Sequence, residues 1–304
     1  MGRESEPMSA YVDIDGVRLE TLDWGGAGPP VVFLAGYANT PHFLDAVARS
    51  FTDRFRVLGL VRRAHGESGQ PEDGYDIASL GDDIVRFFDA VGLKRASLVG
   101  HSFARDEMCY VAGTYPDQVT RLVFLDALYD MTDEDMKLFA GNPLLPVDPP
   151  PETFESVSAY CENFVARYPT YRRLRSARWS ALWARARERT PSGRFRERIR
   201  PGTAQKLFEG RRAFRPDYSA IRCPVLAIFA FQDEDWSLPE DADGDLRMAM
   251  KEYIERFNFR FKRRCIERVR SEMAGVRIVE FENTSHYCFL DREADVLREM
   301  RRFL

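Results

Sequence analysis

Leu98-Val99-Gly100-His101-Ser102-Phe103-Ala104 is the stretch on which the reading of this chain turns. It leaves an apolar run that begins at Ala96, passes a tight turn and opens into a helix near Phe103. A short apolar run bounded by turn signals reads as a strand buried on both faces. A serine at the bend from such a strand into a helix is strained, with its hydroxyl raised above the carboxyl edge of the sheet. Open parallel sheets bind their ligands at that edge. The two backbones approach closely at the bend, so the positions two before and two after the serine must be small. Gly100 and Ala104 meet that demand. A five-residue pattern of this kind also arises by accident, and the flanking strand and helix are what set this one apart.

The same alternation extends outward. Asp15-Gly16 is a favoured hairpin turn, followed by the alternating Val17, Arg18, Leu19 and Glu20. Val31 to Leu34, Val57 to Val61, Leu122 to Leu125, Pro224 to Phe229 and Val276 to Phe281 read as further strands. Between them, Leu44, Val47 and Phe51 form one helical stripe, and Ile77, Leu80, Ile84, Phe87 and Val91 another. Ile254, Phe257 and Phe261 continue the pattern, and Val296, Leu297, Met300 and Phe303 close it. Strand-helix alternation implies right-handed crossovers and a parallel sheet. From Ala127 to Arg222 the strand signal stops and prolines, aromatics and arginine-rich helical stretches take over. Because strands lie on both sides of it, this stretch reads as an insertion. The expected organisation is a core of residues 11–126 and 223–304, a helical cap of residues 127–222, and a disordered start over residues 1–10.

Composition narrows the function classes. The 304 residues are 44% hydrophobic and 30% charged with a net charge of -4, so no global positive field invites nucleic acid. The five cysteines are scattered without a CxxC pair, which favours a reducing compartment over a disulfide framework or a metal knot. Residues Met1 to Ala10 are polar and charged, and no window reaches the ~20 apolar residues of a membrane span. A cytoplasmic protein without a membrane partner is expected. There is no phosphate-binding loop, dinucleotide fingerprint or metal-spaced cluster, so neither a cofactor nor a metal is expected.

A serine nucleophile needs a base, and the chain has four histidines. His101 adjoins the serine but should point away, His65 reads as a loop-packing residue, and nothing requires His42. His286 lies between the last strand and the last helix, where it can reach the sheet edge, and is the candidate base. For the acid that orients it, Asp233 is preferred at three residues beyond Ala230; Asp235 and Asp126 remain as alternatives. An oxyanion hole needs two backbone N–H donors. Phe103 supplies one, and the bend at Ala35-Gly36-Tyr37 points to Tyr37 for the other.

Leu34-Ala35-Gly36-Tyr37, Arg63-Ala64-His65-Gly66-Glu67-Ser68, Gly100 to Ala104, Leu125-Asp126, Pro224 to Asp233 and Ser285-His286-Tyr287 together resemble the α/β-hydrolase superfamily, most closely its small capped esterase-like members. The resemblance runs from about Tyr11 to Leu304 apart from the insertion. It implies a mostly parallel eight-stranded sheet flanked by helices, with Ser102 as nucleophile, His286 as base, an acid matching Asp233, and oxyanion donors at Tyr37 and Phe103. Three positions depart from the family pattern: Ala35 where histidine is common, Ala64 where glycine is usual, and Arg105 at a position that is usually small.

The function so implied is hydrolysis of a carboxylic ester or related acyl bond in a small molecule, through an acyl-enzyme. Serine at the bend argues against the epoxide hydrolases and haloalkane dehalogenases of the superfamily, which use a carboxylate. The alternatives are a non-catalytic ligand-binding protein and a lyase or carbon–carbon hydrolase using the same three residues. The cap aromatics, such as Tyr160, Trp179 and Trp183, are expected mainly as the cap's own core. Its arginines, such as Arg172, Arg178 and Arg187, read first as a solvated helix face and second as a field that steers anionic substrates.

Overall fold

The computed structural model describes residues 6–130, 133–145, 151–233 and 238–304. Asp15 and Gly16, both at positive φ, close a hairpin between β1 (Met8–Ile14) and β2 (Val17–Gly25). β3 (Pro30–Leu34), β4 (Arg56–Leu60), β5 (Ala96–His101), β6 (Val119–Leu125), β9 (Val225–Phe231) and β10 (Arg277–Glu282) complete an eight-stranded sheet. Its order is β1-β2-β4-β3-β5-β6-β9-β10, antiparallel at β1/β2 and β2/β4 and parallel at every other pairing.

The continuous apolar runs are explained by burial on both faces. In β9, Val225, Ala227, Phe229 and Phe231 enter one core cluster while Leu226, Ile228 and Ala230 enter the other. β5 divides in the same way, Leu98 to the first cluster and Val99 to the second. The helices Ile77–Ala90 and Ala104–Thr114 cover the first face with Ile84, Phe87, Met108 and Val111. Val47, Val296 and Met300 cover the second.

Two expectations need correction. Met8, Ser9 and Ala10 belong to β1, paired with Asp23, Leu22 and Thr21, so the start is ordered from Met8 onward. Alternation there is weak because the strand lies at the sheet edge with mostly exposed side chains. The segment between β6 and β9 also contains strand, a small ribbon of β7 (Arg187–Arg189) and β8 (Phe195–Glu197). Three-residue strands rich in arginine and glutamate carry no apolar signal. The rest of that segment is helical, including Val157–Arg167, Ala177–Arg185 and Pro201–Ala213.

Topology decides where a site can form. The chain runs from β3 to β4 on one side of β3 and then to β5 on the other, so the strand order reverses at β3. A crevice opens at the carboxyl ends where such a reversal occurs. The turns after β3, β5 and β6 all lie there.

Candidate active site

Ser102 stands at φ 53°, in the left-handed region that a non-glycine residue occupies only under constraint. The bend is held by the Ser102 N–H, which donates to the Leu125 carbonyl at 3.4 Å. The demand for small residues is met by a close approach: a Cβ added at Gly100 would lie 2.1 Å from Met108 Sδ and 2.9 Å from Ala104 Cβ. Ser102 and His286 both line one cavity of about 950 Å³. Among the described residues no hydrogen bond joins them; such contacts often close only in the substrate complex.

His286 Nδ1 donates to Asp126 Oδ2 at 2.6 Å. The sequence preference for Asp233 is therefore corrected: the carboxylate against the imidazole is that of Asp126, which directly follows β6, the neighbour of β5. Asp235 lies outside the described residues. Asp126 is buried at 2% exposure, and its Oδ1 accepts from the Ala230 N–H at 2.8 Å and from the Tyr129 hydroxyl. Burial pushes its carboxyl up, but the Lys262 ammonium 4.0 Å away and the hydrogen bonds from His286 and Tyr129 outweigh that and bring it to about 2.

The turn after β3 is pinned from three directions. Arg62 donates to the carbonyls of Ala35 at 2.9 Å and Gly36 at 3.5 Å, and pairs with buried Glu107 at 2.7 Å. Arg187, from the segment between β6 and β9, donates to the Ala38 carbonyl at 3.2 Å. The Ala38 N–H donates to His65 Nε2 at 3.1 Å, while His65 Nδ1 lies 3.0 Å from the Arg63 carbonyl. A carbonyl only accepts, so the proton of His65 sits on Nδ1 and Nε2 is the acceptor. Among the described residues neither the Tyr37 nor the Phe103 N–H donates to a protein acceptor, whereas the neighbouring N–H groups of Ala38 and Ser102 do. Gly36 is required here, because a Cβ would lie 2.9 Å from His101 Nδ1 and 3.1 Å from Ser102 Cβ.

His101 faces away from the cavity side of the bend, its Nε2–H donating to the His286 carbonyl at 2.9 Å, so it braces the loop that carries His286. Arg105 is buried at 3% exposure. Its guanidinium bonds Asp106 at 2.8 Å, and Asp130 and the Tyr129 carbonyl at 2.6 Å each. Arg105 also lines the cavity, so the departure from a small residue there places a cation at the pocket.

Two residues were not singled out from the sequence. Arg62 had a faint signal as a basic residue directly after a buried strand. Lys262 had a better one, being a rare lysine beside Phe257 and Phe261. It ends a π-helical stretch, Arg256–Lys262, a form that is frequent at functional sites. Its ammonium lies over the rings of Tyr129, Phe231 and Phe257 at 5.1 to 5.4 Å and donates to the Ala230 carbonyl. No helix among the described residues is long and apolar enough to cross a membrane.

The chain is 28% identical over 162 residues to a 2-(acetamidomethylene)succinate hydrolase of Mesorhizobium japonicum, covering 53% of this chain and 56% of that protein. It is 35% identical over 117 residues to a bifunctional esterase/perhydrolase of Acinetobacter calcoaceticus, covering 38% of this chain and 42% of that one. The chain thus spans about half the length of the curated relatives it matches. The crystal structure of E-2-(acetamidomethylene)succinate hydrolase superposes with a TM-score of 0.72 over 98% of both chains at 21% identity, a likeness of fold. The family described as alpha/beta hydrolase fold matches residues 29–234, more than half of the sequence, and this chain belongs to it.

Proposed function

We propose that the protein is a serine hydrolase that cleaves a carboxylic ester or related acyl bond, with Ser102 as nucleophile, His286 as general base and Asp126 as the acid that orients it. The observation that carries this reading is the 2.6 Å bond from His286 Nδ1 to the buried, ionised Asp126, beside a serine held at positive φ on the wall of the same cavity. With its proton on Nδ1, the imidazole presents Nε2 to the serine hydroxyl as an acceptor.

In this mechanism Nε2 takes the hydroxyl proton as Oγ adds to the acyl carbon and the carbonyl π pair moves onto oxygen. The Tyr37 and Phe103 N–H groups, which lack protein acceptors among the described residues, suit that oxyanion. The pair returns, the bond to the leaving group breaks, and the imidazolium gives its proton to the departing atom. Water then gives a proton to Nε2, adds to the acyl carbon, and releases the acid as the proton returns to Oγ. The segment between β6 and β9 acts as a cap, with Tyr168, Tyr171 and Phe208 on the cavity wall.

A panel of p-nitrophenyl esters and a fluorophosphonate probe tests the assignment. The wild type should cleave short esters and take one probe per chain, and Ser102→Ala should lose both. Equal turnover by Ser102→Ala would overturn the nucleophile; a folded wild type that neither labels nor turns over any ester would favour a ligand-binding protein instead.

A further inference from the structure

Eight of the described residues lining the cavity are arginine or lysine, and only Asp126 and Asp130 bring a carboxylate to its wall. Both carboxylates are occupied. Asp126 carries the bonds already described. Asp130 is held between Arg105 and Arg268 at 2.6 Å each and accepts from the Tyr218 hydroxyl at 3.2 Å. The imbalance does not lie on the cap helices whose arginines stood out in the sequence. It lies on Arg105, on Arg167 at the end of the helix Val157–Arg167, on Arg211, Arg212 and Arg215 at and just past the end of the helix Pro201–Ala213, and on Lys262, Arg264 and Arg268 at and just before the helix Arg263–Glu272.

Arg211, near the end of the helix Pro201–Ala213, is the most telling of these cations. Its side chain is 18% exposed, and its one ion pair among the described residues runs from Nε to Asp106 Oδ2 at 2.9 Å. Asp106 is fully buried and already bonded through Oδ1 to Arg105, so Arg211 shares its carboxylate with a second guanidinium. The two terminal amino groups of Arg211 meet no protein acceptor among the described residues. The guanidinium lies 5.4 Å from the centre of the Phe103 ring, the residue after Ser102, and the residue lines the cavity. Burial pulls this arginine below its usual value, the mark of a cation short of compensation. The same wall carries Arg212 and Arg215, both exposed.

A guanidinium with both terminal amino groups open has the geometry of a fork that takes a carboxylate through two parallel hydrogen bonds. A cleft lined by one sign of charge also concentrates ligands of the other sign. We propose that the cavity takes an acyl substrate bearing a carboxylate a few bonds from the reacting carbonyl, with Arg211 as the group that holds it. This rests on the hydrolase reading for what happens at Ser102, but the anion site stands on its own contacts.

Two substrates that differ only in charge test it: p-nitrophenyl hydrogen glutarate and its methyl ester, with spontaneous hydrolysis subtracted. The wild type should prefer the free acid about 10- to 100-fold in kcat/KM, the factor expected for a charged hydrogen-bonded pair. That preference should shrink with added salt. Arg211→Gln should bring the ratio close to one, and Arg211→Lys should keep part of it. A ratio near one in the wild type, or an unchanged ratio in folded Arg211→Gln, overturns the proposal. A second measurement needs no variant: glutarate should slow fluorophosphonate labelling of wild-type Ser102, and uncharged glutaramide should not. Should the serine neither label nor turn over either ester, the hydrolase reading fails by itself, and calorimetric titration with glutarate decides the anion site. Binding to wild type that Arg211→Gln abolishes supports the site, and absence of binding overturns it.

Discussion

Asp126 occupies a φ of 45° and carries its carboxylate into a pocket where every oxygen is taken. Such a group cannot be replaced by its amide without leaving a donor where a donor already points. Asn at this position would turn an NH₂ toward either His286 Nδ1 or the Ala230 N–H, and would favour the wrong imidazole tautomer. Asp126→Asn should therefore lower kcat on p-nitrophenyl acetate by about 10⁴-fold, whereas Asp233→Asn should leave kcat of the same order. The reverse ranking would restore Asp233. This is also where the sequence was least legible. Three aspartates followed buried strands, and nothing local distinguishes a carboxylate beside β5 from one further along the edge. What decides is that β6 is the immediate neighbour of β5, a long-range pairing invisible to spacing. Ser102 and His286 were legible for the opposite reason: the strained serine bend is written in five adjacent residues, and only one histidine follows the last strand.

At the scale of elements, the turn after β3 shows how a loop is made rigid by side chains from elsewhere. Arg62 fixes two of its carbonyls while its charge is balanced by Glu107, both side chains being 7% exposed or less. Burial pushes Glu107 up and the Arg62 guanidinium opposes it. The two jobs are separable by substitution. Arg62→Lys keeps a charge near Glu107 but loses the planar fork, so the turn should loosen: kcat should fall about tenfold or more with a smaller change in KM, and unfolding should shift modestly. Arg62→Met leaves Glu107 buried without a partner and should cost about 3–5 kcal/mol in urea unfolding. Equal kcat in wild type and Arg62→Lys would remove Arg62 from any positioning role. Hairpins and buried strands were readable here because turn chemistry and period are local. The Asp15-Gly16 turn and the strands β3, β4, β5, β6, β9 and β10 fall within a few residues of their expected places. The β7–β8 ribbon was not, since its strands are short and polar and its contacts reach to other elements, among them Arg187 over the Tyr160 and Trp183 rings of two neighbouring helices.

For the whole molecule, parallel order and two-sided burial followed from the alternation of strands and helices, while the charge of the cavity did not, because its cations come from four separate stretches of chain. Burial has one global consequence that can be measured. His42, His65 and His101 are all buried, and burial is the largest cause holding them below the usual histidine value, His42 to about 4, His65 to about 3 and His101 well below. In the unfolded chain each returns to about 6.5. Below that pH the unfolded chain binds protons that the folded one refuses, so stability is complete above about pH 6.5 and is lost as the pH falls toward the folded values. Each histidine contributes a slope of up to about 1.4 kcal/mol per pH unit, together about 4. Asp83, Glu107 and Asp291, which burial raises, act in the opposite sense nearer the carboxylate range, so the window to read is about pH 7.5 to 5.5. Urea midpoints should change little from pH 7.5 to about 6.5 and fall steeply by about 5.5. His65→Gln should remove about a third of the slope whatever its own cost in stability. A midpoint flat across the window would mean that these histidines accept protons in the folded state, and that His65 Nε2 is not the acceptor that fixes the Ala38 N–H.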